Sequence, residues 1–145
     1  MVGAVTEEFV HDTPIRNIDI NLRSNFYETP ADAEFMITDR IAVRGADDFS
    51  DYCYAVSRNV SAMINGPVWD KLDKIKQPTL ILFGENDALI PNPYLHGRFT
   101  KDVAKIGQDA IPNSRLIIVP ECGHFVQFEQ SEVTNKAIID FVVTE

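Results

Sequence analysis

The chain has 145 residues, of which 45% are hydrophobic, and its formal net charge is -9 from 22 acidic and 13 basic residues. This length and composition are typical of a folded globular protein with its own core. The acidic balance, with no cluster of lysine or arginine, excludes a nucleic-acid-binding surface, because such surfaces depend on cationic contacts to phosphates.

The two cysteines, Cys53 and Cys122, are too few for a disulfide framework, and neither has a zinc-binding spacing such as C-x-x-C. The sequence has no glycine-rich phosphate loop and no metal-binding cluster, so we expect no cofactor and no metal. It also lacks a signal-peptide pattern and an apolar run of membrane-spanning length. We therefore expect a reduced, cytoplasmic protein without a membrane anchor.

The first segment with a pattern is residues 6–25, which carry alternating apolar side chains at Ile18, Ile20 and Leu22. Alternation is typical of a strand, but three positions do not distinguish a short strand from an irregular segment. Both interpretations stay open for this part of the chain.

Two helices are predicted next. Thr29-Pro30-Ala31-Asp32 is typical of a helix start, with Thr29 as the N-cap and an acid in the first turn, and the helix should run to about Arg44. The second helix has apolar side chains at helical spacing from Phe49 to Ile64 and ends at Asn65-Gly66-Pro67. The N-terminal half is therefore predicted to be mainly helical.

The sequence changes character near Gln77-Pro78, where compact apolar runs separated by turn residues begin. Residues 79–83 and 116–119 are continuous apolar runs of strand length, which is typical of parallel strands covered on both faces. A helix from about Pro93 to Ile106 is predicted between them, ending at Gly107. Its apolar face would consist of Leu95, Phe99, Val103 and Ile106.

A last helix is predicted from Ser131, which is a suitable N-cap. The side chains that would face the sheet are Val133, Ala137, Ile138 and Phe141. The fold class is therefore α/β, with a helical segment followed by a strand-helix-strand-helix unit whose strands are parallel.

Asp87 and His124 come just after the two predicted strands. Functional side chains of such sheets lie beyond the carboxyl ends of the strands, so the two residues should be neighbours in space. An aspartate that orients a histidine is what nucleophilic catalysis requires, because the histidine must deprotonate the nucleophile. A turn role for Asp87 and a structural role for His124 are the weaker alternatives.

The segments PTLILFGENDALIP at 78–91 and CGHFVQFE at 122–129 resemble the acid and histidine segments of the α/β-hydrolase fold family. The resemblance implies that Asp87 is the acid and His124 the general base of a catalytic triad. It also implies that the chain is similar to the C-terminal half of the family fold. Residues 1–76 would form its helical lid, and residues 77–145 would form the C-terminal part of its core.

The family's nucleophile occupies a G-x-S-x-G turn, and the sequence contains no such motif. The chain would thus be part of a hydrolase acting on a small ester, C-C, epoxide or similar bond, and inactive by itself. It would be either the C-terminal part of a longer protein or a truncated relative. The alternative is a non-catalytic truncated α/β module used for protein association.

Four aromatic residues of the predicted lid are candidates for a substrate pocket: Tyr27, Tyr52, Tyr54 and Trp69. They would line an apolar pocket, or a tyrosine hydroxyl would polarise a leaving oxygen as in epoxide hydrolases. Packing in the core is the commoner role of such side chains.

Three other reactive side chains have weaker patterns. His96 lies beside prolines at a helix start and His11 stands alone, so neither is predicted to be catalytic. Cys122 precedes His124 by two residues, and a thiol nucleophile there would point away from the imidazole.

A sheet of only two parallel strands leaves its pairing edges open. We therefore expect a partner, either a second copy in a homo-oligomer or a complementing N-terminal half. With that half present, the further partner would be a small-molecule substrate.

Overall fold

A computed structural model describes residues 5–91 and 99–144. The chain forms two compact units. The first contains the chain up to Leu22 together with Asp32–Trp69, and the second contains Arg23–Ala31 together with the chain from Asp70. The division into a lid of residues 1–76 and a core of residues 77–145 stays a prediction. The structure adds that Arg23–Ala31 packs with the second unit.

The N-terminal half is helical, as predicted. Its α-helices and 3-10 turns are, in chain order, α1 (Glu7–His11), α2 (Ile15–Arg23), the turn Ala31–Ala33, α3 (Glu34–Ala42), the turn Val43–Gly45, α4 (Phe49–Asn65) and the turn Trp69–Lys74.

The helix α4 lies where the apolar spacing predicted it. Phe49, Cys53 and Ser57 are buried, one helical turn apart, and Val10 of α1 packs against the first two. At the other end of the helix Met63 is 78% exposed. One apolar cluster of the first unit therefore lies at the N-terminal end of α4.

Residues 6–25 contain the helices α1 and α2, so both open interpretations, a strand and an irregular segment, were wrong. Thr6 caps α1 by accepting a hydrogen bond from the Phe9 N–H at 3.1 Å. In α2, Ile18 is buried whereas Ile20 is exposed. The alternation was misleading because Ile18 and the half-buried Leu22 share one face of the helix, whereas Ile20 lies on another.

The helix predicted from Thr29 begins later than expected. A 3-10 turn comes first, α3 starts only at Glu34, and its N-cap is Ala33, which makes no side-chain cap. Thr29 is thus not the N-cap of α3. The predicted end near Arg44 is correct to within a few residues, because a 3-10 turn continues to Gly45.

The predicted pair of parallel strands is present. β1 (Thr79–Gly84) and β2 (Ser114–Val119) pair in parallel, with Thr79 opposite Ser114 and Gly84 opposite Val119. The ladder of hydrogen bonds continues into the loops, because the Glu85 N–H donates to the Val119 carbonyl at 2.8 Å. The two loops that follow the strands therefore leave the same edge of the sheet.

The helix between the strands, α5 (Thr100–Ala110), differs from its prediction. The predicted start at Pro93 and the side chain of Leu95 lie outside the described residues. Gly107 does not end the helix but faces Ile81 of β1, whose Cδ1 would lie 3.7 Å from a Cβ at that position. Phe99 and Ile106 are exposed, and Thr100 and Ala104 are the buried side chains. Val103 of the predicted face is half-buried, and the small buried residues let α5 approach the sheet closely.

Two helices complete the second unit, α6 (Val126–Glu129) and α7 (Ser131–Thr144). Val126 packs with Val119 and Cys122 in a small apolar cluster. On α7 the predicted core residue Ala137 is buried, together with Thr134, and the predicted Phe141 is half-buried. The other two predicted core residues, Val133 and Ile138, are 45% and 44% exposed.

In the part of the chain that the structure describes, no helix combines the length and the apolar character needed to cross a bilayer.

Candidate active site

Asp87 lies in the tight loop that follows β1, and only 3% of its side chain is exposed. Its Oδ1 accepts hydrogen bonds from the backbone N–H groups of Leu89, at 2.8 Å, and Ile90, at 3.1 Å. The Thr100 hydroxyl at the start of α5 donates to the Ile90 carbonyl at 2.8 Å. The loop therefore fixes the carboxylate, leaving Oδ2 to face the neighbouring turn.

That turn follows β2 and carries His124. Glu121 has a positive φ of 50°, which a residue with a side chain rarely adopts and which marks a sharp change of direction. The turn passes so close to β1 that a Cβ at Gly84 would overlap with the carbonyl oxygens of Cys122 and Gly123. Close backbone contact, possible only with glycine at position 84, brings the two loops together.

Asp87 and His124 are in direct contact, as their positions after adjacent parallel strands predicted. The His124 Nδ1 is 2.9 Å from the Asp87 Oδ2. An ionised carboxylate only accepts hydrogen bonds, so Nδ1 carries the proton. Nε2 of the neutral ring is then the basic nitrogen, and 34% of the His124 side chain is exposed. A contact of this kind is what an orienting acid and a general base require.

The backbone of His124 is held by a segment distant in the sequence. Its N–H donates to the Asn25 carbonyl at 2.7 Å, and Gly123 lies so close that a Cβ there would be 2.5 Å from the same oxygen. Glu129 accepts hydrogen bonds from the N–H groups of Tyr27 and Gly123. Sequence reasoning missed Asn25 and Glu129 as parts of the site, because no local pattern links residues 25–28 to residues 123–129.

Cys122 is fully buried in the same turn. Burial, and then the negative charge and hydrogen bonding of the Glu129 carboxylate, raise the pKa of its thiol from 9.0 to about 11, with a smaller contribution from Asp87. A nucleophilic cysteine requires the opposite shift, because the thiolate is the reactive form. The structure therefore supports the expectation that Cys122 is not the nucleophile.

Because of this raised pKa, we expect the stability of the second unit to fall at alkaline pH. The folded chain binds the thiol proton more tightly than the unfolded chain, so the stabilisation is complete below pH 9.0 and is lost as the pH rises through about 11. Between these values the free energy of unfolding of the wild type should fall by about 2–3 kcal/mol more than that of Cys122→Ala. Denaturant titrations at a series of pH values measure the difference. Cys53→Ala, which keeps Cys122, should retain the wild-type slope; equal slopes for all three proteins would contradict the prediction.

The four predicted pocket aromatics are divided between the two compact units. Tyr27 belongs to the second unit, is 51% exposed and borders a hollow of about 290 Å³ together with Glu121 and Glu129. The other three lie in the first unit. Tyr52 is half-buried, stacks on Phe49 and lies beneath the Arg40 guanidinium, whereas Tyr54 and Trp69 are more than half exposed. None of the three lines the cavity of about 620 Å³ in that unit. A pocket role for these aromatics stays a prediction.

His11 lies in a more exposed environment than His124. His11 is exposed and lies 2.7 Å from the Asp12 carboxylate, in a pair of adjacent residues on α1 and its C-cap. His96 lies outside the described residues. Within the described ranges no three His, Cys, Asp or Glu side chains converge in a geometry that would hold a metal ion.

Comparison with known proteins connects this geometry to a family. Residues 19–131 match the family model of the alpha/beta hydrolase fold. The chain is 32% identical over 102 residues to a proline iminopeptidase of Thermoplasma volcanium, and this match covers 61% of this chain and 31% of that protein. It is 35% identical over 72 residues to a 2-hydroxy-6-oxononadienedioate/2-hydroxy-6-oxononatrienedioate hydrolase of Pseudomonas putida, covering 50% of this chain and 22% of that protein.

Among solved structures, a probable hydrolytic enzyme from Pseudomonas aeruginosa PAO1 is similar with a TM-score of 0.80. The sequences are 20% identical, and the match covers 97% of this chain and 49% of that one. The chain thus spans about half of the solved structure and a third or less of the two curated relatives. The region of this chain that matches the family model, residues 19–131, includes Asp87 and His124.

Proposed function

This chain belongs to the α/β-hydrolase fold family, and we propose that it supplies the acid, Asp87, and the general base, His124, of a hydrolase whose nucleophile lies outside these 145 residues. The observation that carries the proposal is the 2.9 Å contact between a buried carboxylate and a partly exposed imidazole. No G-x-S-x-G turn occurs in the sequence. The family's curated members that match this chain are hydrolases, which supports the general class.

In this mechanism His124 moves the proton. Its Nε2 takes the proton of the attacking hydroxyl while a bond forms to the electrophilic carbon, and it later returns the proton to the leaving group. Asp87 stabilises the imidazolium that exists between these steps. The carboxylate can do so without reorientation, because two backbone N–H groups already fix its other oxygen.

The substrate class depends on the nucleophile. A serine would attack the carbonyl of an ester, an amide or a carbon-carbon bond beside a ketone, and the names of the two curated relatives favour this carbonyl chemistry. An aspartate nucleophile would instead open an epoxide or a carbon-halogen bond. The acid and the base are the same in both, so Asp87 and His124 serve either reaction.

The test uses the completed protein, meaning this chain produced together with the segment that carries the nucleophile, encoded upstream or on a second chain. Hydrolysis of p-nitrophenyl butyrate, proline p-nitroanilide and styrene oxide would identify the bond that is cleaved. His124→Ala should lower kcat by at least about 10³-fold. His11→Ala changes an exposed histidine and should leave the rate unaltered. Turnover retained in His124→Ala would reject the assignment of the base.

The proposal includes association with a second polypeptide. Within the described residues the sheet has two strands, both of which are only partly buried apart from their last residues, Gly84 and Val119. Apolar side chains also remain exposed on α7, including Ile139 and Val142 at 61% and 69%. A complementing half or a second copy would pair with the open strand edges and cover these side chains.

Sedimentation velocity measures this association directly. The isolated chain of 16.3 kDa should sediment as a dimer or larger species, or bind a complementing half when one is supplied. An association module without catalysis, the second candidate function, predicts the same assembly but no hydrolysis of the three substrates. A monodisperse monomer that melts cooperatively would contradict both forms of the proposal.

A further inference from the structure

The Glu129 carboxylate joins two segments that are about a hundred residues apart in the sequence. Its Oε1 accepts the N–H groups of Tyr27, at 2.8 Å, and Glu28, at 3.1 Å. Its Oε2 accepts the Gly123 N–H at 2.6 Å and lies 3.9 Å from the Cys122 Sγ. Each oxygen therefore serves donors of a different segment.

Both segments hold the backbone of His124. The turn at Gly123 directly precedes it, and the Asn25 carbonyl accepts its N–H at 2.7 Å. Through its hydrogen bonds, Glu129 links the segment of residues 25–28, which contains this carbonyl, to the turn at Gly123. The imidazole direction depends on the position of the His124 backbone, so a shift between the two segments would move Nδ1 away from Asp87.

Only a carboxylate satisfies this arrangement. Both oxygens of Glu129 face donors, and hydrogen bonds to an ionised acceptor are stronger than those between neutral groups. A glutamine of the same length would present an NH₂ group either to Tyr27 and Glu28 or to Gly123. One side would then place donor against donor and leave N–H groups without an acceptor.

Phe26 adds a packing contact between the same two segments. Its buried ring lies 5.2 Å from the ring of Phe125, which follows His124, and 6.1 Å from that of Phe128. Both contacts are edge-to-face, a favourable arrangement of aromatic rings. The apolar contact brings the segments together, and the Glu129 hydrogen bonds fix their alignment along the chain.

We propose that Glu129 is a positioning residue, which keeps the imidazole of His124 aligned with Asp87 by fixing the turn at Gly123 to residues 25–28. Its consequence for catalysis rests on the function proposed above. The positioning role itself can be tested independently of that function, because the alignment of the two side chains can be measured on this chain without substrate.

The experiment compares Glu129→Gln with the wild type by NMR of the His124 Nδ1 proton. In the wild type this proton should be protected from exchange by its bond to Asp87. In Glu129→Gln its exchange should be at least about tenfold faster, because the segments separate more often. Glu129→Asp keeps the charge and both acceptors and should restore part of the protection. Glu132→Gln, the same change at an exposed carboxylate, should have no effect.

A second variant separates positioning from a general loss of stability. Thr134→Val removes the buried hydrogen bond from the Thr134 hydroxyl to the Val126 carbonyl, which joins α7 to α6 and involves neither Gly123 nor residues 25–28. It should lower the denaturation midpoint but leave the Nδ1 proton protected. Equal exchange in Glu129→Gln and wild type would overturn the proposal. So would a proton that exchanges as fast in Thr134→Val as in Glu129→Gln.

In the completed protein, Glu129→Gln should lower kcat by about 10-fold to 10²-fold, with a smaller change in KM, since a displacement of about 1 Å of the base has an effect of this size. A completed protein that hydrolyses nothing, while Glu129→Gln still releases the Nδ1 proton, would reject the proposed function and leave the positioning role intact.

Discussion

Asp87→Asn is expected to reverse the tautomer of His124 and to lower the kcat of the completed protein by about 10³-fold to 10⁴-fold. In the wild type the Asp87 Oδ1 accepts from Leu89 and Ile90, and Oδ2 accepts from His124 Nδ1. An asparagine at this position must keep its single oxygen on the two backbone N–H groups. Its NH₂ group then faces Nδ1.

The imidazole can accept that NH₂ donor only if its own proton moves from Nδ1 to Nε2. Nε2 is then protonated and cannot accept the proton of a nucleophile, although every neighbouring bond is preserved. The large loss of rate would thus come from one proton in the wrong place rather than from a disrupted loop.

NMR chemical shifts of the two ring nitrogens of His124 test this on the isolated chain. They should indicate an Nδ1–H tautomer in the wild type and an Nε2–H tautomer in Asp87→Asn. The matched control is Asp12→Asn, which alters the exposed carboxylate 2.7 Å from His11 and should leave the His124 signals unchanged. An Nδ1–H tautomer in Asp87→Asn would show that Asp87 does not orient the ring.

The largest effect on stability is expected from Gly84→Ala. The added methyl group would overlap with the backbone carbonyl oxygens of Cys122 and Gly123, which cannot rotate away as a flexible side chain could. The two loops would have to separate, which would also break the bond between the Asn86 N–H and the Cys122 carbonyl. The expected loss in the free energy of unfolding is about 3–5 kcal/mol, in the range of the most damaging single substitutions.

Denaturant unfolding compares this variant with a second glycine of the same unit. Gly107 lies inside α5, where an added Cβ would be in ordinary contact with Ile81 at 3.7 Å. Gly107→Ala should therefore stabilise the protein by about 0.5–1 kcal/mol through its higher helix propensity. If Gly84→Ala were as stable as wild type, the close approach of the two loops would be wrong.

The sequence predicted the strands, the long helix α4 and the contact between Asp87 and His124. These features depend on local rules: buried parallel strands have continuous apolar runs, and residues that follow neighbouring strands meet at one edge of the sheet. The membership in the α/β-hydrolase fold family, inferred from residues 78–91 and 122–129, is confirmed by the match of residues 19–131.

The sequence was misleading where the helix faces were chosen by hydrophobicity alone. Phe99 and Val133 are exposed, whereas Ala104 and Thr134 are buried. Small side chains at these positions allow a helix to approach the sheet, and this distance is set by the packing of the whole unit. The N-terminal segment is a similar case, since Ile18 alone among its three alternating residues is buried.

By itself, the sequence determined the fold class, the two parallel strands with a helix between them and a helix at the end, and the proximity of Asp87 and His124. Only the tertiary structure placed residues 25–28 against the His124 turn and Glu129 between them, because those contacts join positions far apart in the chain. Local patterns indicate how a segment folds. They do not report which distant backbone groups will meet a single carboxylate.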